Sequence, residues 1–155
     1  MTEREWDKRL HIRTIGREDE DNPHYSPYEP TPYSVLQRLS DSGHIGRKDW
    51  LLDYGCGKGR VAFFMAATVG CRVTGIDRSR KLIDMAKENR KSSGFGDRVT
   101  LICALAEQYE VLSTAEEFGA GSAQFLGSRV ISGYGSARPG KDCGETANPF
   151  KDCCS

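Results

Sequence analysis

No apolar run in the 155 residues approaches the roughly 20 that a membrane-spanning helix needs. The opening MTEREWDKRL is charged where a secretory leader carries an apolar centre, which points to a cytoplasmic protein. Net charge is missing as well. Lysine plus arginine balance aspartate plus glutamate at 22 each, so no overall field draws the chain toward nucleic acid or an anionic membrane. Metal signatures are absent too: Cys143, Cys153 and Cys154 form no CxxC pair and have no histidine nearby, which argues for free thiols over zinc. Cys56, Cys71 and Cys103 lie in apolar or glycine-rich segments and read as small buried hydrophobes, not as a disulfide framework. His11, His24 and His44 stand among polar residues without a placed acidic or nucleophilic partner, so no catalytic residue is assigned. Internal repeats are not found.

What is present divides the chain in three. Residues 1–27 are rich in charge and proline and read as a flexible or loosely docked arm. Residues 28–112 alternate short apolar runs with helical patterns. In YEPTPYSVLQRLSDSG, Thr31 and Pro32 start a helix, Val35, Leu36 and Leu39 recur at helical spacing, and Ser40 to Gly43 ends it. WLLDY, Trp50 to Tyr54, has the continuous apolar character of a strand buried on both faces. Arg60 to Val69 is apolar nearly all round, and its alanines and methionine favour a buried helix stopped at Gly70. CRVTGID is a second strand, ending on Asp77. Ser79 caps a further helix with Leu82, Ile83, Met85 and Ala86 on one face, and SSGFGD breaks it before RVTLICAL, a third strand. Strand, helix, strand, helix, strand is the order of a parallel sheet with right-handed crossovers, the first half of a doubly wound α/β domain. Residues 113–155 are rich in glycine and serine and read as an irregular tail, with one strand expected inside FLGSRVISGYG.

Between the first strand and the helix at Arg60 stands LLDYGCGKGRVAFF, with Gly55, Gly57 and Gly59 two apart. A turn needs one such residue. Three let the backbone take positive φ and bring its amides close to a ligand, and the following helix N-terminus favours an anionic group. Ligands of open parallel sheets bind at this end of the strands. A P-loop needs Ser or Thr after Gly-Lys, whereas Lys58 is followed by Gly59 and Arg60. A dinucleotide fingerprint, GxGxxG, needs its third glycine where Arg60 stands. The spacing here is GxGxG.

LLDYGCGKG resembles the glycine-rich motif of class I S-adenosylmethionine-dependent methyltransferases: two apolar residues, an acid, then three alternate glycines. GIDRS resembles that family's second motif, with Asp77 about 20 residues beyond Gly55, and GFGDRVTLICALAEQ its third-strand region. The resemblance covers about Tyr28 to Val111. It implies a Rossmann-like fold and S-adenosyl-L-methionine as cofactor. By that resemblance Asp53 interacts with the methionine moiety, and Gly55, Cys56, Gly57 and Gly59 bring backbone to the methionine and ribose. Asp77 takes both ribose hydroxyls, and Arg78 flanks the adenosine. Ala106 offers its amide to the adenine, and Glu107 reaches the adenine amino group where the family often has an acid and this chain has Leu105. By the same resemblance Tyr28 and Tyr33 belong to an N-terminal segment that folds over the cofactor, packing against the sheet being the alternative for Tyr33. An acid beside the glycines suits a ligand that carries an ammonium and a sulfonium better than a doubly anionic pyrophosphate.

The family sheet has seven strands, and its fourth-strand motif is expected soon after Glu110. Only ANPF, Ala147 to Phe150, resembles it, so the chain reads as truncated or altered after about residue 111. Methyl transfer to an unidentified acceptor is the function implied. A non-catalytic cofactor-binding module, completed by a protein partner that covers an exposed sheet edge, is the alternative, and an NAD(P)-dependent oxidoreductase a third.

Overall fold

The computed structural model describes residues 1–18, 27–105 and 129–132. The elements run α1 (Glu3–Leu10), α2 (Tyr33–Asp41), β1 (Trp50–Tyr54), α3 (Arg60–Thr68), β2 (Arg72–Asp77), α4 (Arg80–Ser92), a 3-10 turn (Gly96–Arg98), β3 (Val99–Cys103) and β4 (Arg129–Ser132). All strand pairs are parallel, in the order β3-β2-β1-β4. The first three strands and the helices between them follow the alternation in the sequence. β4 lies within FLGSRVISGYG and pairs with β1 on the side away from β2, Asp53 standing level with Gly75 of β2 and Ile131 of β4. Strand order therefore reverses at β1, and the carboxyl end of β1 is the switch point at which open α/β sheets bind ligands.

Local chemistry sets the ends of these elements. Ser79 caps α4 by accepting a hydrogen bond from Leu82 N at 3.4 Å. Thr2 and Glu5 cap α1 reciprocally, Thr2 N donating to Glu5 at 2.6 Å and Glu5 N to Thr2 Oγ1 at 3.3 Å. α3 is apolar all round because it is covered from two sides, by β2 and β3 and by α1 and α2. Its Phe63, Phe64 and Met65 have no exposure at all.

The described part of the N-terminal arm is neither flexible nor loosely docked. Trp6 and Leu10, four apart, form the apolar stripe of α1 amid its charges, and both are buried with Ile12 in the main core. Trp6 stacks on Tyr33 at 5.6 Å and meets the edge of Phe64 at 5.0 Å. Charge density hides this stripe in the sequence, since only two apolar residues in eight suffice to dock so short a helix. The irregular-tail reading of 113–155, apart from β4, lies outside the described residues. No helix among the described residues is long and apolar enough to cross a membrane.

Candidate functional site

β1 delivers the chain to its switch point through Leu51, Leu52 and Asp53, all buried. The loop then folds back over β2: Gly55 N and Cys56 N both donate to Ile76 O, at 2.8 and 3.0 Å. Cys56 packs on Gly75, where an added Cβ would come within 2.9 Å of the Cys56 side chain. Gly55, Gly57 and Gly59 all have positive φ, at 75°, 55° and 85°. Gly57 is required twice over, because a Cβ there would also overlap the Tyr28 ring.

Two carboxylates, Asp53 of β1 and Asp77 of β2, flank this turn. Asp77 Oδ2 accepts Gly57 N and its Oδ1 accepts Ser79 N, both at 2.8 Å. It joins the glycine loop to the start of α4, and each oxygen keeps a lone pair for a further donor. Asp53 is 2% exposed, and its Oδ2 has no hydrogen-bond partner among the described residues. Burial first, and the Asp77 charge second, push its carboxyl up from 3.8 to about 7. The Cys56 thiol is pushed up by burial and then by Asp53 and Asp77, so it is an apolar filler and not a nucleophile. An orphaned buried carboxylate oxygen beneath a turn of free approach fits a ligand carrying a cationic, hydrogen-bond-donating group.

The N-terminal segment closes over the loop. The Tyr28 ring rests on Gly57, its hydroxyl donates to Thr14 O at 2.9 Å, and Lys58 Nζ lies 5.0 Å from the ring centroid. Glu18 bridges Lys58 and Lys81, at 2.9 and 2.8 Å, and these two cations hold its carboxyl down to about 2. Arg60, 3% exposed, donates to Glu3, to Thr31 O at 3.1 Å and to Thr14 Oγ1 at 2.7 Å.

The structure thus brings Asp53, Gly55, Cys56, Gly57, Gly59 and Asp77 together at one strand end, with Tyr28 beside them. Arg78 follows directly, half-buried, its carbonyl 3.6 Å from Cys103 Sγ. Tyr33 does not join them. It is 1% exposed, donates its hydroxyl to Asp7 Oδ1 at 2.6 Å and packs on Trp6 and Phe64, so it is a core residue and not part of the ligand face. Ala106 and Glu107 lie outside the described residues. Lys58 and Arg60 are buried participants that reading along the chain missed, because their acidic partners lie 40 and 57 positions away.

Comparison with known proteins agrees with this geometry. A family model described as "Methyltransferase domain" matches residues 51–125, past the point near residue 111 where the sequence pattern fades. The chain is similar to methyltransferase GfsG of Streptomyces halstedii, 31% identical over 90 residues that cover 52% of this chain and 32% of that protein. It is also similar to protein arginine N-methyltransferase 1 of Saccharomyces cerevisiae, 35% identical over 85 residues, covering 51% of this chain and 24% of that one. Among solved structures, an RNA methyltransferase from Salinibacter ruber in complex with S-adenosyl-L-homocysteine superposes with a TM-score of 0.51 and 30% identity, over 54% of each chain. The chain spans a third or less of these two curated relatives and about half of the solved one. In motif order, strand order and sequence together, residues 51–125 are similar to the S-adenosylmethionine-dependent methyltransferases.

Proposed function

We propose that this chain binds S-adenosylmethionine at the carboxyl end of β1 and serves transfer of its methyl group to an acceptor. The observation that carries this reading is Asp53: a buried carboxylate oxygen without a partner among the described residues, set beneath the positive-φ turn of Gly55 and Gly57. When bound, the cofactor supplies a methyl group on a positively charged sulfur. Asp53 offers its free oxygen to the ammonium of the methionine moiety, and the ion so placed favours its ionised form. Asp77 offers the ribose hydroxyls its remaining lone pairs while it keeps hold of Gly57 N and Ser79 N. Tyr28 covers the loop and excludes water from it.

The relatives' names point to different acceptors, arginine in a protein and RNA among them, so the proposal stops at methyl transfer. The free thiols Cys56, Cys71 and Cys103 support a reducing, cytoplasmic setting. A protein partner along the outer edge of β4, which pairs with β1 alone among the described residues, belongs to the same proposal, since open strand edges are ordinarily covered. Titration calorimetry of the full chain with S-adenosylhomocysteine and with NAD tests the reading. Binding of S-adenosylhomocysteine at micromolar concentration with no heat from NAD supports it; binding of NAD alone overturns it in favour of a dinucleotide enzyme.

A further inference from the structure

Residues 12–14, between α1 and the segment that carries Glu18, contribute nothing to the strand ends, yet they are gripped from two sides by buried polar groups. On one side Asp7, 6% exposed, accepts four hydrogen bonds: from Thr14 N at 2.6 Å, Thr14 Oγ1 at 2.6 Å, Ile15 N at 3.2 Å and Tyr33 hydroxyl at 2.6 Å. On the other side Asn89 of α4, 4% exposed, pairs with both backbone groups of Arg13, accepting its N at 2.8 Å and donating to its O at 3.2 Å. The same Asn89 amide nitrogen donates to Lys58 O, inside the glycine turn, at 2.9 Å. Thr14 in turn receives the Tyr28 hydroxyl on its carbonyl, and the Tyr28 ring lies on Gly57. Thr14 Oγ1 also takes Arg60 Nε, immediately beyond Gly59.

Three of these contacts end on the turn from Gly57 to Arg60 or on the ring that covers it: Asn89 on Lys58 O, Thr14 Oγ1 on Arg60 Nε and Thr14 O on the Tyr28 hydroxyl. A helix end or a core needs no such arrangement: α1 is already docked by Trp6 and Leu10, and α4 by Leu82, Ile83 and Ala86. Three positive-φ glycines separated by single residues make a turn with few restraints of its own, because glycine gives up the most backbone freedom on ordering. A turn that must present its amides to a ligand benefits from being held before the ligand arrives.

We propose that residues Arg13 and Thr14 form a brace that holds the glycine turn in its ligand-binding shape, with Asn89 and Asp7 as its positioning residues. Asn89 acts on the turn at Lys58 O, and Asp7 acts through Thr14 on Tyr28 and Arg60. The inference rests on the turn being the binding element described above, but its direct consequence, an ordered turn in the absence of ligand, is read without one.

The test is amide hydrogen exchange on the full ligand-free chain, with calorimetry on S-adenosylhomocysteine beside it. Two variants are used: Asn89→Ala, which removes the grip on both Arg13 and Lys58, and Tyr28→Phe, which keeps the ring and loses only the bond to Thr14 O. In each, exchange at Gly55, Cys56, Gly57 and Gly59 rises about five-fold or more, as expected for a lost buried hydrogen bond, while β2 and β3 amides change less than about two-fold. Affinity for S-adenosylhomocysteine falls by a similar factor. Exchange that rises evenly through sheet and turn, or not at all at the turn, in either variant overturns the brace and leaves these residues a packing role. Should Asn89→Ala fail to fold, Tyr28→Phe alone decides between the same two outcomes. A wild-type chain that does not bind S-adenosylhomocysteine, with turn-selective exchange still seen, refutes the proposed function and upholds the brace. Binding that is unaltered in both variants, with no selective rise in exchange at the turn, refutes the brace and upholds the function.

Discussion

Asp53 lies one residue before the end of β1 and Asp77 ends the neighbouring parallel strand β2, and the unpaired one feels the charge of the paired one. Asp77 is held by two backbone amides, whereas Asp53 is buried with an orphan oxygen, and burial together with Asp77 pushes it up to about 7. A raised folded-state carboxyl means that the native protein binds a proton that the unfolded chain has released. Its contribution to stability is fully present below 3.8 and is lost as pH rises through about 7. The full span corresponds to a few kcal/mol, on the order of 4 at most. Urea unfolding of the ligand-free chain should therefore show this component of stability declining between pH 4 and 7, and Asp53→Asn should flatten that slope. A slope that persists unchanged in Asp53→Asn assigns the dependence elsewhere.

The same substitution separates binding from folding. Without a carboxylate to receive an ammonium, Asp53→Asn should weaken S-adenosylhomocysteine at pH 8 by about ten-fold or more, a charge-assisted bond being worth roughly twice a neutral one. Its ligand-free melting point at that pH should not fall, because a buried charge has been removed. Loss of affinity together with a lowered melting point would indicate that Asp53 has a structural donor among the residues not described.

For Asp77 the expectation is different, since it already serves the backbone. Asp77→Ala should weaken S-adenosylhomocysteine at least a few-fold through the ribose, and also destabilise the ligand-free chain by about 1–3 kcal/mol by releasing Gly57 N and Ser79 N. Calorimetry and urea titration read the two effects separately. Unchanged affinity would rule out the ribose role, leaving Asp77 as the residue that caps the turn.

Much of this site is legible in the sequence because its information is local. The strand WLLDY, the three glycines and the acid closing β2 lie within thirty residues, and each follows from backbone demands that a single segment expresses. Tyr33 departs from its sequence expectation for the opposite reason. Its fate is decided by Trp6 and Phe64, 27 positions before it and 31 after it, and nothing near Tyr33 announces that partners will enclose it. The buried cations are the harder case. Lys58 and Arg60 look like ordinary surface charges beside a turn, and only the folding-back of residues 3–18 puts Glu3, Asp7 and Glu18 on them. The fourth strand is marked within a longer segment by its short apolar run, but its pairing with β1 is a topological fact that no local pattern encodes.

Gly57 tests the contact between the turn and its cover. An alanine there is strained at φ 55° and overlaps the Tyr28 ring, which together should cost about 2–4 kcal/mol. Tyr28→Ala should remove the overlap but not the strain, so the double variant should be more stable by about 1 kcal/mol or more than the sum of the single losses implies. Strict additivity in urea midpoints would show that the ring does not press on Gly57 in solution.

Arg60 and Lys58 flank Gly59 as buried cations, yet they should respond unequally to removal. The Arg60 guanidinium is 3% exposed, lies 4.4 Å over the Tyr33 ring and serves Glu3, Thr14 and Thr31 at once, with Asp7 Oδ1 at 3.9 Å. Arg60→Leu strands the buried Asp7 carboxylate beside an apolar side chain, a loss of about 3–5 kcal/mol for one broken buried pair. Lys58 Nζ is also buried, but its partner Glu18 is partly exposed and retains Lys81. Lys58→Met therefore leaves no charge both buried and alone, and should cost less than half as much. Equal losses in the two urea midpoints would mean that Asp7 is reached by water once Arg60 is gone, and that the N-terminal segment opens as a unit. A large loss for Arg60→Leu alone fixes that segment as part of the domain's cooperative core.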